Sequence, residues 1–336
     1  MTKLRPEGFE PPYPGFRVAE EPELVMALVG VQEHDDGAGS PLAGQVRSSL
    51  QRAPGLRGVE TFDQVGGTGP GDAVHVTYWA GQQDLDAWLD GDGDGVLAVA
   101  PGGPTGTWWE AFAAPPSYFR TSYSTPLHDW GLARGRAREQ DDQHAYHGAA
   151  RDSIAVAEDD GAASPLPALT PRPGPGRDDV VDLQIPEHAC FIRTVQGWAD
   201  ASEAEREHFL GDAYLRYLEG VEYLAGHLED TQCLSVRLVH DHDEGPGRPQ
   251  AETLAWFRSL ADLERWTWSS PTHEAIFNAF GAHAARFAPD VRVLLGHEIS
   301  VCPPGGGRAR YRGCRPDTGL LPVAHALGAA APATTG

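Results

Sequence analysis

The Ser-Pro pair at 270–271 sets up the stretch that most constrains this chain. Proline lacks a backbone N–H and holds φ near the helical value, so it suits the first position of a helix, with serine ahead of it as the cap. From there His273, Phe277, Phe280, Ala284 and Phe287 recur at helical spacing, which puts His273 on the apolar face in the first turn. Pro289-Asp290 then turns the chain, and residues 291–301 read as a strand. His297 lies inside that strand, with Val293, Leu295 and Ile299 on its own face. Two histidines embedded in apolar elements suit a ring that needs an axial nitrogen from one side and a proton donor from the other. A histidine on an apolar helix face is more often a hydrogen-bonded core residue than a metal ligand. No HExxH or paired-cysteine spacing marks a zinc site.

Earlier segments punctuate cleanly. Residues 1–20 are rich in Pro and polar groups and read as an extended surface arm. Leu24 to Gln32 reads as a buried strand, Leu42 to Arg52 as a helix, Val59 to Val65 and Ala73 to Ala80 as strands, and Asp84 to Leu89 as a short helix. Trp108 to Phe112 suggests another helix and Tyr118 to Tyr123 a strand. Asp90, Asp92, Asp94 and Gly95 imitate the start of a calcium loop, but the closing Glu is missing, so the run reads as a solvated turn. Residues 128–150 are polar and irregular, with His128, His144 and His147 among them. Residues 157–178 have linker composition, which favours plain disorder over a lid. Beyond them, Glu187 to Val195 reads as a strand and Ser202 to Leu228 as one long amphipathic helix. Ser235 to His240 and Thr253 to Arg258 make a hairpin, whose turn from His240 to Gly245 has metal-site residues but reads as a polar tip. Leu260 to Trp266 is a short helix, and Ala324 to Gly336 a low-complexity tail.

The 336 residues exceed one typical domain, and 40% hydrophobic residues suffice for a sizeable core. A formal charge of −22 argues against nucleic acid or an anionic membrane as partner. No apolar run approaches membrane-spanning length, and the opening MTKLRPEGFEPPYPGF lacks a signal-peptide core. Four widely spaced cysteines with no CxxC fit reduced thiols and a cytoplasmic setting. Cys302 could supply a thiolate ligand, but it closes the strand that carries His297 and ranks below His273.

The two halves look alike. Trp88 follows Trp79 by nine residues, as Trp266 follows Phe257, and Thr107-Trp108 parallels Thr272-His273. Each half suits strand, helix, two strands, helix, strand. The expected class is therefore α+β, with two ferredoxin-like units able to pair their sheets into one open barrel. The expected divisions are 1–150 for the N-terminal half, 151–182 for a linker, 183–325 for the C-terminal half and 326–336 for a flexible tail. One ligand site is expected, in the second half, because Trp108 stands where the other copy has His273.

An ordered set of short motifs then resembles the haem-containing aldoxime dehydratases, the phenylacetaldoxime dehydratase family. They are Pro11-Pro12-Tyr13-Pro14, Leu28-Val29-Gly30-Val31-Gln32, His144-Ala145-Tyr146-His147-Gly148, Ile192-Arg193 with Gln196-Gly197-Trp198-Ala199-Asp200, Leu263-Glu264-Arg265-Trp266, Ser270-Pro271-Thr272-His273, His297-Glu298-Ile299-Ser300-Val301 and Pro316-Asp317-Thr318-Gly319-Leu320. The resemblance covers most of the chain. It implies a dimeric α+β barrel-type haem fold, and one haem b per chain, active when ferrous. It makes His273 the proximal ligand and His297 the distal acid–base group.

It also implies a reaction. An aldoxime, R–CH=N–OH, loses water to give a nitrile; the imidazole gives a proton to oxygen and takes one from carbon, while a hydroxyl and an arginine hold the departing oxygen. The chain departs from the family on that distal side. The usual serine is Thr194. Arg151 matches the first of two arginines, and the second, catalytic one falls on Ser153. The supporting carboxylate falls near Gly131, with Asp129 the nearest acid. The expected partner is a small aldoxime or related N–O compound, with a homodimer as one possible assembly. Alternatives are a related haem enzyme acting on another N–O or N–N bonded substrate, and a non-catalytic haem-binding protein.

Overall fold

The computed structural model describes residues 4–19, 23–34, 41–69, 71–100, 102–126, 130–157, 162–241 and 250–327. The N-terminal part contains β1 (Gly15–Val18), β2 (Leu24–Glu33), α1 (Pro41–Arg52), β3 (Leu56–Gly67), β4 (Asp72–Trp79), α2 (Gln82–Leu89), α3 (Asp92–Val96), β5 (Thr105–Ala114), β6 (Phe119–Tyr123) and β7 (Arg138–Asp141). The C-terminal part contains β8 (Val180–Ile185), β9 (Cys190–Gly197), α4 (Glu203–Gly211), α5 (Ala213–Gly226), α6 (Leu228–Thr231), β10 (Cys233–Asp241), β11 (Gln250–Phe257), α7 (Leu260–Ser269), α8 (Pro271–Phe287), β12 (Leu294–Val301) and β13 (Gly307–Arg312).

All thirteen strands belong to one sheet, in the order β7-β1-β6-β12-β9-β11-β10-β3-β4-β2-β5-β13-β8. Within it β3-β4-β2-β5 and β10-β11-β9-β12 place their strands in the same sequence order: second, third, first, fourth. The two quartets join where β3 pairs with β10, as in Asp63↔His240. The flanking strands cross over. From the N-terminal part, β6 pairs with β12 and β1 pairs with β6 and β7. From the C-terminal part, β13 pairs with β5 and β8 with β13.

Alternation along the strands sends one face inward and one outward. Leu24, Met26 and Leu28 of β2 enter the central core, whereas Val25, Ala27, Val29 and Val31 pack with residues of α1 and α2. Leu254 and Trp256 of β11 enter the same central core, whereas Ala251, Ala255 and Phe257 pack with residues of α5 and α7. Phe112 of β5 meets Trp256 of β11 with ring centroids 5.3 Å apart, so the inner faces of the two quartets touch. Buried ion pairs cross that interior. Arg193 Nε stands 2.7 Å from Glu252 and Arg193 Nη2 2.6 Å from Glu60, while Arg237 pairs with Glu110. Buried charges persist only when paired in this way.

Several sequence expectations change. Trp108 to Phe112 lies in strand β5, because its side chains are buried on both faces between β2 and β13. Trp108 therefore has no structural equivalence to His273 on α8, although Trp88 on α2 and Trp266 on α7 do correspond. The long helix expected from 202 to 228 is two helices, α4 and α5, and α6 begins at its last residue. Gly211 and Gly226 end the first two, as poor helix formers do, and the bend at Asp212 lets Phe209 pack against α8. The Asp-Gly run forms the one-turn helix α3, with Asp94 paired to Arg310 and Arg312. Residues 162–178 are packed rather than disordered. Ala162 and Leu169 are buried, and the Leu169 N–H donates to Gln232 at 2.7 Å. Residues 242–249, which include all but the first two residues of the turn expected from His240 to Gly245, lie outside the described residues, as do His128, Asp129 and residues 328–336.

Candidate haem site

The outer face of the C-terminal quartet forms the floor of a cavity, and α5, α7 and α8 form its roof. Gly220 of α5 makes the roof close, since a Cβ there would stand 2.5 Å from Ile276 of α8. Ser259 caps α7 by accepting the Asp262 N–H at 3.2 Å. Ser270 ends α7 and begins α8 at once, as its Ser-Pro pair suggested. Its hydroxyl, however, pairs with Thr272 Oγ1 at 2.7 Å and not with a helix N–H. This tight junction brings Trp266 and His273 together, their rings edge to face at 4.8 Å.

Opposite lies His297 on β12. It is flanked in register by Thr194 of β9 and Ser122 of β6, and Thr194 is flanked in turn by Thr253 of β11. Paired residues in a ladder share a face, so one row of the floor reads Thr253, Thr194, His297, Ser122. The row to one side reads Ala255, Ile192, Ile299, Arg120. Thr194 Oγ1 is 3.1 Å from His297 Nδ1. On the far face of the same strand, Glu298 accepts from the Leu132 N–H at 2.6 Å and from Tyr78. Residues 144–150 form a side wall, and Tyr13 of the N-terminal arm closes the cavity beside Phe280, at a ring distance of 5.4 Å.

These elements leave a cavity of about 250 Å³ that opens at its mouth, and His273 and His297 both line it. Burial, then the neighbouring His147, pushes the His273 imidazole down to about 4 against a small opposing pull from the Thr267 carbonyl. Burial, then His273 and Arg120, pushes His297 down to about 4 as well. Both rings are therefore neutral at pH 7, each with one unprotonated nitrogen. His273 Nδ1 is buried and has no hydrogen-bond partner. A neutral imidazole on an apolar cavity wall is the kind of donor that haem iron takes, and with His273 lining the cavity these residues fit the group. Cys302 is not a competitor: it lies in the central core, its thiol pushed up to about 12 by burial.

The structure unites some expected site residues and separates others. His273, His297 and Thr194 meet around the cavity. Arg151 is not in the cavity lining, but its Nε and Nη2 donate to Glu264, which is, at 2.9 and 2.7 Å. Ser153 lies outside the cavity lining, its hydroxyl against the Arg120 guanidinium and 3.2 Å from Gln143 Oε1. Gly131, where a carboxylate was expected, adopts φ +54, and a side chain there would collide with Glu298. Sequence reasoning missed Arg120 and Ser122. The strand over Tyr118 to Tyr123 was visible, and its alternation places both on one face; what it pairs with was not.

A mixed α/β fold of this strand order, with two neutral histidines on the walls of one buried cavity, has the makings of a haem protein. The model of the haem-containing dehydratases matches residues 27–320, and the chain belongs to that family. It is 27% identical to phenylacetaldoxime dehydratase of Bacillus sp. (strain OxB-1), over 95% of this chain and 94% of that one. It is 26% identical to an aliphatic aldoxime dehydratase of Pseudomonas sp., over 96% and 94%. Among solved structures, an aldoxime dehydratase superposes with a TM-score of 0.83 at 25% identity, covering 96% of this chain and 94% of that one. An aldoxime dehydratase in complex with butyraldoxime gives 0.83 at 23% identity, covering 96% and 92%, which bears on the fold.

Proposed function

We propose that the protein is a haem-dependent lyase that converts an aldoxime to a nitrile and water. The observation that carries this reading is the placement of His273 and His297 on opposite walls of one cavity, in a chain of the haem-containing dehydratase family. Bound haem b supplies a Lewis-acidic iron that, when ferrous, also donates electron density to the oxime nitrogen.

In this reading His273 would hold the haem iron and His297 carries the proton. Thr194 engages Nδ1 of His297, which leaves Nε2 facing the substrate. With its pKa pushed down to about 4, His297 starts neutral. It carries both protons of the reaction, taking one from carbon and delivering one to the departing hydroxyl. The atoms balance: the C–H and N–O bonds break, water leaves and the nitrile remains. Thr194 fixes the imidazole rather than holding the oxygen alone, and Ser122 offers a second hydroxyl on the other flank. Arg151, tied to Glu264, has a structural role here.

The recurring strand order supports two ferredoxin-like repeats as the two halves of an open barrel, with the cavity in the second. Under this reading the expected divisions at 150, 182 and 325 mark sequence repeats, while the flanking strands of each lie on the other's sheet edge. Among the described residues no helix is long and apolar enough to cross a membrane, and the reading places the enzyme in the cytoplasm. Turnover of an aliphatic and aryl aldoxime panel under reducing conditions, scored for nitrile, tests the function. A haem-loaded protein that yields no nitrile from any of them would move the assignment to another N–O or N–N bonded substrate.

A further inference from the structure

Arg120 lies on His297's face of the sheet, paired with Ile299 and two residues from Ser122. It is 5% exposed. Its guanidinium reaches three groups on one segment: the Asp141 carboxylate, the Gln143 carbonyl and the Ser153 hydroxyl. These contacts fall at both ends of the segment whose middle, 144–150, forms the cavity's side wall. The ends are also tied to each other. The Gln143 N–H donates to Asp141 at 3.1 Å, and Ser153 Oγ lies 3.2 Å from Gln143 Oε1. Between them the chain turns through positive φ at Ala145 and Gly148, so the wall is a loop closed at its base on one side chain.

We propose that Arg120 is a positioning residue of the reaction: it clasps the 141–153 wall to the strand ladder that carries His297 and fixes a positive charge on His297's face. This rests on reading the cavity as the dehydration site. A buried ion pair contributes little to stability over an apolar replacement, but beside a proton carrier it has a direct effect. A fixed positive charge disfavours imidazolium and keeps His297 a neutral base. The titratable and charged groups around His297 are few. They are His273 on α8, Glu264 on α7 (paired with Arg151), Tyr217 on α5, and His144, Tyr146, His147 and Asp141 on the wall. Tyr13 of the arm completes the set; β9 and β11 present Thr194, Gln196 and Thr253 there, none of them charged. Of these, His273 acts on His297 together with Arg120, in the same direction.

The test follows the His297 titration and turnover together, in the haem-loaded full chain. Carbon-13-labelled histidine is read by NMR in the diamagnetic ferrous carbon monoxide form, with the His297 signal assigned by its loss in His297→Asn. Arg120→Met should raise the His297 pKa by about one unit and carry the acid limb of kcat/KM up with it, at unchanged Soret absorbance. Arg120→Lys should hold the pKa near the wild-type value and raise KM, because one ammonium cannot span all three wall contacts. Asp141→Asn leaves the Arg120 charge uncompensated and should shift the pKa down, which a packing role cannot produce; it also serves if Arg120→Met does not fold. A His297 pKa that is the same in wild type and in whichever of Arg120→Met and Asp141→Asn folds overturns the proposal. A wild-type chain that makes no nitrile, yet shows these opposite shifts, would sink the dehydration reading and leave the clasp standing.

Discussion

Trp266 and His273 meet edge to face at 4.8 Å, one from the last turns of α7 and the other from the first turn of α8. The contact holds the imidazole against the cavity roof without engaging its Nδ1, which stays unpartnered. An indole edge can orient a ring without competing for the lone pair a metal needs.

The first expectation is that His273→Ala purifies largely without haem, or with haem that imidazole in the buffer restores. Soret absorbance per chain is the measurement. A normal spectrum without imidazole means another residue ligates.

His297 should be dispensable for haem and indispensable for turnover. Losing a general acid–base group typically costs about a hundred- to ten-thousandfold. His297→Ala and His297→Asn should both retain the Soret band, still bind aldoxime and fall by that range in kcat. A low-spin bis-imidazole spectrum in the wild type, turning high-spin in His297→Ala, would indicate that His297 closes the iron and has no free proton to move.

Thr194→Val removes the hydroxyl 3.1 Å from His297 Nδ1 at nearly constant volume. The expected loss is about a hundredfold in kcat, the usual cost of one preorganised donor, with haem content intact. Retained kcat would mean that Ser122, on the other flank, orients the ring by itself.

Arg151→Ala should act on stability. It strands the Glu264 carboxylate, 6% exposed, without its guanidinium partner, and breaking such a partly buried pair costs on the order of 3–5 kcal/mol. The Tm should fall while kcat per haem stays within a few-fold of wild type. A large kcat loss at unchanged Tm would return Arg151 to the site.

Acid should weaken the haem-free fold through its buried imidazoles. His144, His273 and His297 are each pushed down to about 4 from the ordinary 6.5. Between those values the unfolded chain binds protons that the folded chain refuses, so stability falls as pH drops through that window. Glu252, pushed up to about 7, works in the opposite direction. The informative measurement is therefore a difference: Tm from pH 7.5 to 4.5 should decline less in His144→Gln than in wild type, where Glu252 contributes equally to both. Parallel curves would mean that His144 titrates normally.

Much of this was legible in the chain because it is local. The Ser-Pro start, the helical spacing of His273, Phe277 and Phe280, and the strand around His297 each follow from a dozen neighbouring residues. The row Thr253, Thr194, His297, Ser122 was not legible, because it depends on the pairing of four strands far apart in sequence. The role of Trp108 to Phe112 was misread for a related reason. A strand buried on both faces loses its two-residue alternation, and nothing in Trp-Trp-Glu-Ala-Phe distinguishes it from a helix. Arg151 could be matched to a motif but not aimed: which way it turns depends on Glu264, more than a hundred residues away.

The crossing of the flanking strands has a consequence for how the chain can be divided. Strands β1, β6 and β7 belong to the N-terminal part yet finish the sheet edge at β12, and β8 and β13 finish the edge at β5. A backbone cut between β7 and β8 would therefore not release two modules. Each fragment would carry the other's border, so neither would be complete by itself, and together they would re-form by exchanging edges. The pocket behaves likewise: its floor takes Ser122 from one fragment and Thr194 and His297 from the other. The pocket is assembled only when both fragments are present.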